Sequence, residues 1–139
     1  MGIGKNNSNS VLEFALVGLE WEQMTIDSRN PVCLGQWWAN ALGWVVVNDS
    51  PDDFEIRKNA DSIPGLLFVE VAEQKLAKNR LHFDLRPDNR DAQVARLLAL
   101  GATLVDVGQG VQSWVVLADI EGNEFCVLST LKETAGLEN

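Results

Sequence analysis

The signals for secondary structure in this chain run through the same five steps twice, and that repeat limits the fold more than any single residue does. Residues 20–27 alternate, with Glu22, Met24 and Ile26 on one side and Trp21, Gln23 and Thr25 on the other, the period of a strand. Asn30 before Pro31 reads as an N-cap with proline at the first helical position. Leu34, Trp37, Trp38, Ala41 and Leu42 then recur at helical spacing until Gly43 ends the run. Residues 44–47, 54–57 and 66–71 read as strands, with a turn at 51–53.

After a charged connector at 73–79 the order restarts. Residues 80–86 place Leu81, Phe83 and Leu85 on one face and Arg80, His82, Asp84 and Arg86 on the other. A helix from Asp88 or Asn89 carries Val94, Leu97 and Leu98 and closes at Gly101; residues 103–107, 113–118 and 124–129 supply three more strands. The Leu-Gly pair that closes each helix stands at 42/43 and 100/101, 58 residues apart. Gln23 precedes His82 by 59 residues, and Leu67 precedes Cys126 by the same 59.

Two copies are too few for a solenoid, and a half of roughly 55 residues cannot bury its own sheet. Symmetric halves pair instead around a pseudo-two-fold axis. The expected fold is α+β: two βαβββ modules at 20–72 and 80–130, forming paired curved mixed sheets around a cleft. Residues 73–79 are the connector, and 1–19 and 131–139 are tails outside a single domain at 20–130. The strand face toward each helix should be the core, which assigns Met24, Ile26, Leu81, Phe83, Phe125 and Val127 there. The opposite face lines the cleft, and a homodimer is expected.

Composition narrows the partners. Eleven Lys and Arg against 20 Asp and Glu leave a formal charge of −9, which argues against sequence-independent binding of nucleic acid. No apolar run reaches the length of a membrane span, and residues 1–10 lack the apolar stretch of an export signal. Two cysteines, Cys33 and Cys126, are expected as free thiols in a cytoplasmic protein. Lys75, Lys78, Arg80, Arg86, Arg90 and Arg96 make the least acidic stretch, so an anionic ligand at a cleft rim stays open.

Taken in order, Gln23 leads through "IDSRNP" to "WWANALGW", then come "NRLHFDL", "LLALGATLVDVG", "WVVLAD" and "EGNEFCVL". With these motifs the chain resembles the glyoxalase, bleomycin-resistance and extradiol-dioxygenase superfamily, the vicinal oxygen chelate proteins, over roughly residues 20–130. Within it the likeness is to glyoxalase-like domain proteins, in which a proline usually stands where this chain has Ile120. That fold hosts isomerases, lyases, ring-cleaving dioxygenases, epoxide-opening resistance enzymes and metal-free drug-sequestering proteins, so the reaction has to be read from the site. The resemblance implies four facing positions for a divalent cation, two per module: Gln23, Leu67, His82 and Cys126. Gln23 and His82 are allowed donors there. The two positions that most often carry a carboxylate hold Leu67 and Cys126, which removes the anionic oxygens that Mg²⁺ or Mn²⁺ depend on.

His82 is the single histidine, two residues from Asp84 on one strand face. It is the candidate catalytic residue, as ligand, general base or donor with Asp84 fixing its tautomer; the alternative is a histidine that bridges two sheets by hydrogen bonds. Cys126 is either a thiolate ligand or nucleophile, or a small buried hydrophobe. Gln23, His82 and Cys126 together are a candidate three-donor site for Zn, Fe, Mn or Ni. Trp21 and Trp114 fall on cleft-side positions by alternation and can stack on a planar ligand or pack an interface. Glu124 shares the face of Cys126, about 7 Å away along the strand, and reads as solvated or hydrogen-bonded.

Two functions from different classes follow. In the first, a small organic molecule is bound without a complete metal site in a cleft lined by Trp21, Gln23, Leu67, His82, Asp84, Trp114 and Cys126. In the second, a metal on Gln23, His82 and Cys126 polarises a carbonyl or vicinal oxygens in a lyase or isomerase.

Overall fold

The computed structural model describes residues 17–130; most of the expected N-terminal tail and all of the C-terminal one lie outside that range. The first module runs β1 (Gln23–Ser28), α1 (Pro31–Leu42), β2 (Val45–Asn48), β3 (Asp53–Arg57) and β4 (Gly65–Glu70). The second runs β5 (Asp84–Leu85), α2 (Arg90–Ala99), β6 (Thr103–Leu104), β7 (Val115–Ala118) and β8 (Glu124–Val127). Each module forms one four-stranded mixed sheet, ordered β1-β4-β3-β2 and β5-β8-β7-β6. In both, the first strand lies parallel to the last and the other neighbours are antiparallel. The fold is α+β, and the two sheets do not close into a barrel.

Local chemistry explains the helix limits. Asn30 accepts a hydrogen bond from the Cys33 N–H and Pro31 opens α1, while Gly43 closes it at φ 69°, a conformation that favours glycine. Asn89 caps α2 in the same way through the Ala92 N–H. The helices also cap each other's far ends. The Trp37 indole N–H donates to the Leu100 carbonyl at 2.9 Å, and Arg96 donates to the Ala41 carbonyl at 2.6 Å.

The core lies between α1 and the strand faces turned to it: Leu34, Trp37 and Trp38 against Phe54, Ile56, Leu66 and Phe68, with Phe125, Leu117 and Val127 from the second sheet. Met24, Ile26 and Phe83 pack on its margin. Trp38 meets Phe83 and Phe125 edge to face at centroid distances of 5.4 and 4.9 Å, so one residue of the first module seals both. Gly35 is the closest approach of helix to sheet, since a Cβ there would fall 2.1 Å from the Phe54 ring.

One core assignment is corrected. Leu81 is 76% exposed, because β5 pairs with β8 only at Asp84↔Cys126 and Leu85↔Val127. Before Phe83 the chain leaves the ladder. The Glu124 carboxylate takes the Asn79 N–H there, so the expected strand at 80–86 shortens to two residues.

Candidate functional site

A cavity of about 430 Å³ opens where β1, the edge of the first sheet, faces the chain entering β5, the edge of the second. Met24, Thr25, Ile26 and Asp27 border it from one side and Leu81, His82 and Phe83 from the other; Trp38, the connector residues Glu73 to Lys75, and the 119–124 turn complete the wall.

The wall is tied together by carboxylates. Asp119, 4% exposed, accepts from the Trp38 indole at 2.9 Å, from the backbone N–H groups of Glu121 and Asn123, and from the Asn123 side chain. Those bonds fix the turn. They also aim Glu121 across the seam, where it accepts from the Ser28 hydroxyl at 2.5 Å and the Arg29 N–H at 2.9 Å. The corner between β1 and α1 is thus held by a side chain of the second module. Glu124 holds the connector, accepting from Lys75 and from the Asn79 N–H. Burial pushes its pKa up, but Lys75 and the Asn79 N–H outweigh that and leave it below the usual carboxylate range.

The expected site residues fall into three places. His82, Asp84 and Cys126 come together: their donor atoms lie within 4.8 Å of one another, and His82 Nδ1 sits 3.1 Å from an Asp84 oxygen. His82 also borders the cavity. Cys126 is buried, and its thiol is pushed above the ordinary range by desolvation and by the neighbouring Asp84 carboxylate. Gln23 and Leu67 stand on one face of the first sheet, where Thr25 pairs with Leu67 and Glu55 lies directly opposite it. The Glu55 carboxylate is engaged by Arg57 at 2.7 Å and therefore does not stand in for the carboxylate missing at Leu67. Trp21 is 60% exposed with its indole N–H on the Gln23 carbonyl, and Trp114 is exposed just before β7.

The residues around the cavity that sequence reading missed are mainly Asp27, Trp38 as a wall residue, Asp119 and Glu121. "WVVLAD" and "EGN" marked the turn, but nothing local signalled that Asp119 and Glu121 reach the other module. Of the basic side chains expected at the rim, Lys75 borders the cavity and is paired with Glu124, while three arginines are engaged elsewhere. Arg86 donates to the Ser129 carbonyl, Arg90 to Ser113 and Arg96 to Ala41.

A glyoxalase-like domain family model matches residues 23–128. Among solved structures, a glyoxalase/bleomycin resistance protein/dioxygenase family enzyme from Burkholderia phytofirmans PsJN is 20% identical, with a TM-score of 0.63 over 81% of this chain and 100% of that one. The trypanothione-dependent glyoxalase I of Leishmania major is 11% identical, with a TM-score of 0.61 over 87% and 94%. TnmS3, an antibiotic binding protein from Streptomyces sp. CB03234, is 15% identical, with a TM-score of 0.57 over 83% and 98%. No curated protein matches the chain. Among the described residues, no helix is long and apolar enough to cross a membrane.

Proposed function

The chain belongs to the glyoxalase-like domain family, and from that premise we propose that it binds a small organic molecule in the cavity between β1 and the entry to β5. The cavity itself carries this reading. Its volume of about 430 Å³ falls in the range of ligand sites, and Met24, Ile26, Trp38, Leu81 and Phe83 offer an apolar body with polar groups at the edge. The antibiotic-binding relative supports a binding role for this architecture.

The charges favour a neutral or cationic ligand over an anionic one. Asp27, Glu73, Asp119, Glu121 and Glu124 border the cavity, against Lys75, whose charge is matched by Glu124. The test is a titration with three aromatic probes of one shape, uncharged, ammonium-bearing and sulfonate-bearing, followed by tryptophan fluorescence. Binding of the uncharged probe, lost in Met24→Trp, is expected, with the ammonium probe roughly tenfold tighter than the sulfonate. Affinity unchanged by filling the cavity at Met24 would sink the proposal.

A lyase or isomerase is the second reading, favoured by the His82–Asp84 pair. Asp84 accepts the Nδ1 proton and leaves Nε2 free as an acid–base atom beside the cavity. It requires turnover of a carbonyl compound that falls by a factor of about 10²–10⁴ in His82→Ala.

A further inference from the structure

The four positions implied for a family metal do not fit a hard ion in this chain. Leu67 offers no donor, the neighbouring Glu55 is taken by Arg57, and Cys126 stands where an oxygen would be needed. The donors that do converge lie in the second module alone, and we infer that His82, Asp84 and Cys126 form a three-donor site for a thiophilic divalent ion such as Zn²⁺.

Imidazole, carboxylate and thiolate are the donor types that zinc takes, and a thiolate selects against Mg²⁺ and Ca²⁺. Zinc bonds of about 2.0–2.3 Å put the ligand atoms of a tetrahedral site roughly 3.3–3.6 Å apart. The three atoms already lie within 4.8 Å, and the two that must close in belong to the exposed side chains of His82 and Asp84. Parallel pairing of β5 with β8 sets this up, because Asp84↔Cys126 are register partners and His82 is two residues earlier on the same face. On binding, the ion replaces the thiol proton, which passes to solvent, and His82 binds as the neutral ring. Asp84 is the residue that no family position supplies. The site does not depend on the cavity taking an organic ligand, and Met24→Trp is expected to leave it intact.

The experiment is a titration of the full chain with Co²⁺, read by the near-ultraviolet thiolate-to-cobalt charge-transfer band, with thermal melts showing that each variant is folded. The wild type and Cys33→Ser should develop the band to saturation at one ion per chain, with Zn²⁺ but not Mg²⁺ removing it. Cys126→Ser should show no band, and Asp84→Asn should weaken Co²⁺ by about 10–100-fold. Gln23→Ala should match the wild type. Absence of a band in the wild type, a band that survives Cys126→Ser, or one lost in Cys33→Ser would overturn the site. Weakening by Gln23→Ala equal to that by Asp84→Asn would overturn its confinement to the second module. Should Cys126→Ser not fold, Asp84→Asn and His82→Ala decide the matter, both being changes at exposed side chains.

Discussion

Glu124→Gln should release the connector and lower stability by about 1–3 kcal/mol, with a pH dependence that identifies the cause. The carboxylate is 8% exposed; Lys75 Nζ lies 2.5 Å from one oxygen and 3.1 Å from the other, and the Asn79 N–H lies 3.2 Å from each. The Lys75 side chain keeps 21% of its exposure. The pair therefore sits between exposed pairs, at about 0.2–1 kcal/mol, and fully buried ones, where losing one partner costs about 3–5 kcal/mol. Glutamine can still accept from Asn79 but leaves the lysine unmatched. Because the folded pKa of Glu124 is depressed, its contribution is complete above the ordinary carboxylate pKa and is lost as pH falls through the folded value. Urea denaturation of wild type and variant across a pH series should thus give a constant difference near neutrality that shrinks toward zero in acid. Lys75→Met should cost a similar amount, and the double variant less than the two single losses together. A pH-independent difference, or single effects that add to within about 0.5 kcal/mol, would refute the pair as the connector's anchor.

Three further outcomes follow from packing and protonation. Gly35→Ala gains about 1 kcal/mol of helix propensity, yet its Cβ would meet the buried Phe54 ring at 2.1 Å; overpacking of about 1–3 kcal/mol or more should win, and Phe54→Leu should recover part of the loss in a denaturant melt. Trp38→Phe removes the buried donor to Asp119 and should cost about 1.5–3 kcal/mol, with little further loss when Asp119→Asn is added; additive losses would mean the bond does not anchor the turn. Of the two thiols, exposed Cys33 should react with a thiol reagent at once and Cys126 only on unfolding, so equal rates would contradict the burial and raised pKa of Cys126.

The repeat was legible because periodicity and caps are local. Asn30-Pro31 and Gly43 bracket α1, Asn89 starts α2, and the alternation of Met24 and Ile26 or Phe125 and Val127 separates helix-facing from opposite residues without knowledge of anything distant. Residues 80–86 alternate just as well. There the pattern misled at Leu81, because a strand exists only where a partner remains, and the Asn79 N–H is taken by a side chain instead of the β8 backbone. The site divided in the same way. His82, Asp84 and Cys126 were readable as one face of neighbouring strands. The reach of Asp119 to Trp38, 81 residues away, and of Glu121 to Ser28, 93 residues away, has no local signature and appears only once the modules are packed.

That packing also shows what the duplicated modules have stopped sharing. Trp38, buried at the seam between the sheets, is 58 residues before Arg96, which in the second copy points out of the core to bond the end of α1. The first helix is accordingly buried on most of its length, while α2 buries only Leu97. The donor positions diverge in the same sense. Their first-module members, Gln23 and Leu67, sit beside a closed Glu55–Arg57 pair, and their second-module mates, His82 and Cys126, stand with Asp84. A helix that seals both sheets through one tryptophan frees the second module from sealing the seam. Its polar strand face carries His82, Asp84 and Cys126, with His82 at the cavity wall, so the module whose helix is less buried is also the one that gathers the titratable groups.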